Sequence, residues 1–217
     1  MPVTIRTLPI VVHGRILVAS PGGAGPWPVL VGFHGYGEAA ERQLEAMRRV
    51  SEGQAWLLVS VQAPHPFYTK TQEVVAGWMT RQDRDLAIAD NIRYVADAMT
   101  TVRAEWPTTA TTVVTGFSQG VAMAWRAAAY AVRPTAGLIA LAGDVPPEVA
   151  GDPTLSLPPA LLGRGTRDRW YTAAKMEADR AHLASRGVRV EVCAFEGGHE
   201  WAAEFVAAAG RFLLSVG

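Results

Sequence analysis

A serine with a glycine two residues away on either side, Gly116-Phe117-Ser118-Gln119-Gly120, is the arrangement in this 217-residue chain with the clearest chemical meaning. An apolar β-forming run, Thr111 to Thr115, precedes it and an alanine-rich helix former, Val121 to Ala131, follows it, so Ser118 falls on a strand-to-helix turn. The glycines allow a sharp turn and close helix–strand packing, leaving the hydroxyl exposed on a strained elbow. A serine hydroxyl is a weak nucleophile at neutral pH and needs a base within hydrogen-bond reach, itself oriented by an acid. His199, in Gly197-Gly198-His199-Glu200, follows the last predicted strand and precedes the last predicted helix, where a general base would stand. Two aspartates follow strands on the same side. Asp168 comes after the strand preceding that of His199, and Asp144 one strand earlier. Asp168 is favoured, Asp144 being otherwise a turn or cap residue before Pro146-Pro147. His13, His65 and His182 fall in an N-terminal β pair, a long loop and a helix, and read as surface or structural residues. Glu200 is expected in the first turn of the last helix, where a negative charge suits the dipole.

Acyl transfer through such a serine develops negative charge on the former carbonyl oxygen, which preorganised donors must meet. His34-Gly35-Tyr36-Gly37-Glu38 follows the run Val29 to Phe33, and its glycines let backbone N–H groups turn inward. The N–H groups of Tyr36 and Gln119 are the expected oxyanion donors, with His34 fixing the loop by hydrogen bonding. A phosphate-binding reading of these glycines lacks the Walker spacing and its lysine. No group of His, Asp, Glu or Cys shows metal-ligand spacing, so no metal is expected.

The elements that must position these residues alternate along the chain. Apolar runs at Val29 to Phe33, Trp56 to Val61, Thr112 to Thr115, Ala136 to Leu141, Ala160 to Gly163 and Val188 to Ala194 are separated by helical stretches near 39–50, 83–104, 119–131, 171–185 and 201–214. That rhythm predicts an α/β fold: a mostly parallel sheet with helices on both faces and chemistry at the carboxyl ends of the strands. Val3 to Leu8 and Val11 to Ala19 are expected to form an antiparallel pair at the sheet edge. Thr80 with Asp83 reads as a capping box for the second helix. The segments Gln62 to Met79 and Gly143 to Pro159 read as irregular, and neither is long enough for a cap domain. Residues 1–217 are expected to form one domain.

HGYGE, GFSQG, Gly165 to Asp168 and the GGHEW loop occur in the order seen in the phospholipase/carboxylesterase family of α/β-hydrolases, which includes acyl-protein thioesterases, and the resemblance runs from about Pro28 to the C-terminus. It implies a minimal single-domain α/β-hydrolase without a separate cap domain. It further implies a Ser118–Asp168–His199 triad, an oxyanion hole at Tyr36 and Gln119, and cofactor-free hydrolysis of carboxylic esters or thioesters. The chain departs from the family where many members have Leu in place of Tyr36, and where proline with an aliphatic residue follows the acid instead of Arg169-Trp170-Tyr171. Both departures imply a reshaped pocket. The similar dienelactone hydrolases normally carry a cysteine nucleophile, against which Ser118 counts.

Composition narrows the partners. The formal net charge is zero, so no broad field draws nucleic acid or anionic lipid. No run of about eighteen apolar residues predicts a membrane span, and Met1 to Ile10 lacks a signal architecture, so a cytoplasmic location without membrane insertion is expected. The single cysteine, Cys193, is expected to be a buried strand residue. Phe67, Tyr68, Trp78, Met79, Phe117, Trp170 and Trp201 fall on or beside the strand-end loops, a rim suited to an apolar acyl chain or aryl leaving group. Trp78, Met79, Phe117 and Trp170 are the expected substrate contacts. The expected activity is a serine carboxylesterase for small to medium esters. A lysophospholipase, an acyl-protein thioesterase and a catalytically silent binding protein are the alternatives, and a homodimer is left open.

Overall fold

The computed structural model describes all 217 residues. Nine strands and six helices follow one another as β1 (Ile16–Ala19), β2 (Trp27–Phe33), α1 (Ala40–Val50), β3 (Leu57–Val61), β4 (His65–Tyr68), β5 (Val74–Gly77), α2 (Arg84–Glu105), β6 (Thr108–Phe117), α3 (Gln119–Arg126), β7 (Gly137–Leu141), α4 (Pro147–Ala150), β8 (Ala160–Gly165), α5 (Ala173–Ser185), β9 (Val190–Phe195) and α6 (Ala203–Val216). A π-helical turn, Ala127–Ala131, extends α3.

Seven strands form one sheet in the order β1-β3-β2-β6-β7-β8-β9, parallel throughout except for β1 at one edge. The apolar runs alternate between its two faces, as a sheet covered on both sides requires. Val29, Val31, Phe33, Val114, Leu138 and Leu162 face a core shared with α2, α3 and α5. Leu30, Leu58, Val113, Ile139 and Leu161 face the opposite core, built with Leu44, Met47 and Val50 of α1 and Phe205, Phe212 and Leu213 of α6. Because β2, β6, β8 and β9 run parallel, their carboxyl ends and the loops that follow share one edge of the molecule.

Several expectations are corrected. Residues 1–15 form no strand; only Ile16–Ala19 pairs, antiparallel with β3, while Val3, Ile5, Ile10 and Val11 stay exposed. A two-stranded ribbon there would have no apolar face to pack against, which leaves such a pair marginal. The stretch 62–79 is not irregular, since β4 and β5 form an antiparallel hairpin within it. Helix α2 begins at Arg84 after a left-handed Asp83 that makes no side-chain cap, and Thr80 Oγ1 accepts instead from Gln82 N–H at 3.2 Å. Cys193 is half-buried, because β9 is the outer strand of the sheet. That partial burial pushes its thiol pKa up.

Candidate active site

Ser118 sits between β6 and α3 with φ 52° and ψ −119°, in the left-handed region that a residue with a Cβ rarely adopts. Its N–H donates to Leu141 O at 2.9 Å and its carbonyl accepts from Val121 N–H at 3.0 Å, so the strained turn is fixed at both ends. The flanking glycines are required by contact. A Cβ at Gly116 would collide with the Gly120 carbonyl, and one at Gly120 would collide with the Phe33 and His34 carbonyls at the end of β2.

The loops after β8 and β9 are laced together by Thr166 N–H to Phe195 O at 2.8 Å and Arg167 N–H to Gly197 O at 2.9 Å. They bring Asp168 Oδ2 to 2.8 Å from His199 Nδ1. The other carboxylate oxygen, Oδ1, accepts the N–H groups of Trp170 and Tyr171 at 2.8 and 3.1 Å. The Asp168 side chain is wholly buried, whereas His199 keeps 26% of its side chain exposed. This leaves Nε2 as the imidazole nitrogen available to a reacting group. The Phe117 ring packs on the imidazole at 4.8 Å between centroids, with Trp201 beyond it at 6.2 Å from Phe117. The Ser118 hydroxyl makes no hydrogen bond to His199 in the structure; such contacts often tighten only in the Michaelis complex.

Asp144 is elsewhere, paired with Lys175 Nζ at 2.9 Å. Glu200 precedes α6 instead of lying in its first turn; its Oε1 accepts the Gly198 N–H at 2.9 Å and so braces the histidine loop.

On the other side of Ser118, the loop after β2 consumes nearly all its own donors. Gly35 N–H donates to Glu38 Oε2 at 2.9 Å, Gly37 N–H to Ala76 O at 2.9 Å and Glu38 N–H to Gly35 O at 3.3 Å. The Tyr36 N–H between them has no acceptor, nor has the Gln119 N–H in the first turn of α3. His34 is fully buried and holds the loop from within: Nδ1–H donates to Gly35 O at 2.7 Å and Nε2 accepts from Ala63 N–H at 3.0 Å. Burial lowers its pKa.

The expected substrate contacts divide. Trp78 is 0% exposed and its Nε1–H donates to His34 O at 2.8 Å, so it is a core residue and lines no pocket. An indole is drawn into the core by its area and needs one partner there for its N–H. Phe117, 6% exposed, supports the imidazole and has little surface left for a substrate. Met79 is half-buried, its sulfur 3.9 Å from Arg126 Nη1. Trp170 is 76% exposed at the rim, and Tyr36, Phe67 and Tyr68 add further exposed aromatic surface, Tyr36 stacking on Phe67 at 5.5 Å. Two concavities, of about 710 Å³ beside Arg15, Glu41 and Gln62 and about 480 Å³ beside Arg133 and Pro158, are lined by none of Ser118, Asp168 and His199. The backbone donors on Asp168 and the Glu38 tie on Gly35 were not anticipated from the sequence. Glu38, three residues after Gly35 in a glycine-rich turn, was the available signal.

The fold is shared with solved structures. The chain superposes on esterase PE8 with a TM-score of 0.71 at 24% identity, covering 94% of this chain and 98% of that one. For Zea mays acyl-protein thioesterase 2 the values are 0.70 and 18%, covering 94% and 99%. For the Bacillus cereus carboxylesterase they are 0.69 and 16%, covering 94% and 95%. No curated protein matches the chain significantly. No helix is long and apolar enough to cross a membrane. The family model described as Phospholipase/Carboxylesterase matches residues 17–216, nearly the whole length of the α/β-hydrolase fold described above, and the chain belongs to that family.

Proposed function

We propose that this protein is a serine carboxylesterase acting on small to medium carboxylic esters, with Ser118 as nucleophile, His199 as general base and acid, and Asp168 as the group that orients His199. The observation that carries the reading is the 2.8 Å Asp168–His199 contact at the same sheet edge as a serine held in the left-handed region. His199 Nε2 takes the Ser118 proton as Oγ attacks the ester carbonyl, and the oxyanion meets the free N–H groups of Tyr36 and Gln119. Collapse of the intermediate expels the alcohol, which receives that proton, and leaves an acyl-enzyme. Water, deprotonated by His199, then attacks the acyl-enzyme and releases the acid. Every proton and charge in this scheme is handled by residues of the chain, and no cofactor enters it.

A thioester or lysophospholipid substrate is the second reading, favoured by the exposed aromatic surface of Tyr36, Phe67, Tyr68 and Trp170, which suits a long acyl chain. Both are tested by measuring kcat/KM on aryl and alkyl oxygen esters from acetate to dodecanoate alongside thioesters of the same acyl groups. The carboxylesterase reading expects the highest values on short and medium oxygen esters. A clear preference for long-chain thioesters would move the assignment to the second reading, and no hydrolysis of any member would leave a binding protein.

A further inference from the structure

We propose that the Gln119 side chain is a positioning residue that holds the two oxyanion donors in register, a role separate from that of its own N–H. The proposal rests on the oxyanion reading given above. Gln119 Oε1 accepts the Trp78 N–H at 2.9 Å, and Nε2–H donates to Met79 O at 3.0 Å, so one carboxamide grips two consecutive backbone groups between β5 and α2. Trp78 carries the grip onward. Its indole N–H reaches His34 O at 2.8 Å, its carbonyl is anchored by the buried Asn91 Nδ2–H at 2.8 Å, and its ring lies 5.4 Å from that of His34. His34 in turn lies two residues before Tyr36, and Gly77 abuts the Tyr36 ring. A continuous path thus runs from Gln119 through Trp78 and His34 to the Tyr36 N–H.

The carboxamide is suited to this because one tip both donates and accepts, which neither a carboxylate nor a hydrocarbon can reproduce. Asparagine has the same chemistry on a shorter stem. The path is buried at Trp78, His34 and Asn91, so water cannot easily replace a lost bond. Catalysis through an oxyanion hole depends on donor placement within about 0.5 Å. Losing a donor outright costs about 10²–10³ in kcat. Loosening the clamp while both N–H groups remain should cost less.

The test uses Gln119→Ala, Gln119→Glu and Trp78→Phe. Gln119→Glu keeps the acceptor for Trp78 N–H and loses the donor to Met79 O. Trp78→Phe keeps an aromatic ring in the core and loses the bond to His34. Readouts are kcat and KM on an aryl acetate, and the inhibition constant of an aryl trifluoromethyl ketone, whose serine adduct carries the same oxyanion. Gln119→Ala is expected to lower kcat roughly 10–100-fold with KM within about twofold, and to weaken the ketone by the same factor. Gln119→Glu, which sets a carboxylate oxygen against Met79 O and a negative charge beside the forming oxyanion, is expected to lose at least as much kcat as Gln119→Ala. The double variant Gln119→Ala/Trp78→Phe should lose little more than the worse single variant, since both cut one path. Wild-type kcat in Gln119→Ala would overturn the proposal, as would fully multiplicative losses or a fall in kcat with no change in ketone affinity. Should Gln119→Ala fail to fold, Gln119→Glu and Trp78→Phe carry the same comparison. If Ser118→Ala remained active the oxyanion reading itself would fall; if Ser118→Ala is inactive and Gln119→Ala is not impaired, only the clamp falls.

Discussion

His199 Nδ1 stands 2.8 Å from Asp168 Oδ2, and the second oxygen of that carboxylate is held by the N–H groups of Trp170 and Tyr171. The carboxylate therefore cannot rotate away from the imidazole without breaking two backbone hydrogen bonds. Asp168→Asn should lower kcat by about ten-thousandfold, because an amide facing Nδ1 selects the wrong tautomer. Asp144→Asn, which removes only the charge facing Lys175, should stay within about threefold of wild type. Steady-state kinetics on one aryl ester checks both, and the reverse ranking would transfer the orienting role to Asp144.

His34 predicts a pH dependence of stability. Its Nε2 accepts the Ala63 N–H, so the folded state holds the ring neutral, and burial depresses its pKa below the ordinary 6.5. The unfolded chain binds a proton at about 6.5 while the folded chain does not, so this contribution is present above that pH and is lost as pH falls toward the depressed value. Urea unfolding between about pH 8 and pH 5 should show a steeper loss for wild type than for His34→Gln, which cannot titrate. Parallel slopes would mean that His34 takes up its proton in the folded state.

Gly120→Ala should destabilise the fold by about 1–3 kcal/mol, since its methyl group meets backbone carbonyls of Phe33 and His34 that have no side-chain freedom to yield. The same shift would push α3 and the Gln119 N–H away from the loop after β2, so kcat should fall as well. Denaturant midpoints and kcat measured on one preparation check the pair, and unchanged values of both would refute the close packing.

Trp170 and Trp78 should behave differently toward substrate length. Trp170→Ala removes exposed rim surface and should reduce kcat/KM more for longer acyl chains, by up to about 0.8 kcal/mol per methylene that had been covered. Trp78→Phe acts through His34 O and should lower kcat by one factor for every ester in the series. Equal losses across the series for Trp170→Ala would place the acyl chain on the Phe67 and Tyr68 side.

The parts of the site legible in the sequence are those with a local cause. Gly116 and Gly120 mark an elbow because only a residue without Cβ fits against the carbonyls there, and the alternation of strands and helices set the common edge. Asp168 and Asp144 both follow strands, and what separates them is nonlocal: Arg167 N–H reaching Gly197 O, and Lys175 reaching back to Asp144. Trp78 reads as a rim aromatic because a loop position carries no sign of burial. Its partner, His34 O, lies 44 residues away in the chain. The β4–β5 hairpin is illegible in the sequence for a similar reason. Val74 and Val75 are a short apolar run whose pairing with Phe67 and Tyr68, and whose Ala76 bonds to Gly37 and Glu38, exist only once the loop after β2 is in place.

The central claim, that Ser118 is the acyl-accepting nucleophile activated by His199, is tested most directly by intact-mass analysis after treatment with a fluorophosphonate. Wild-type protein should gain one adduct, mapped to Ser118, while Ser118→Ala gains none and His199→Ala reacts at least about a hundredfold more slowly, in keeping with the loss of a triad base. Labelling of Ser118→Ala at the wild-type rate, or no adduct on wild-type protein that is hydrolysing esters, would contradict it.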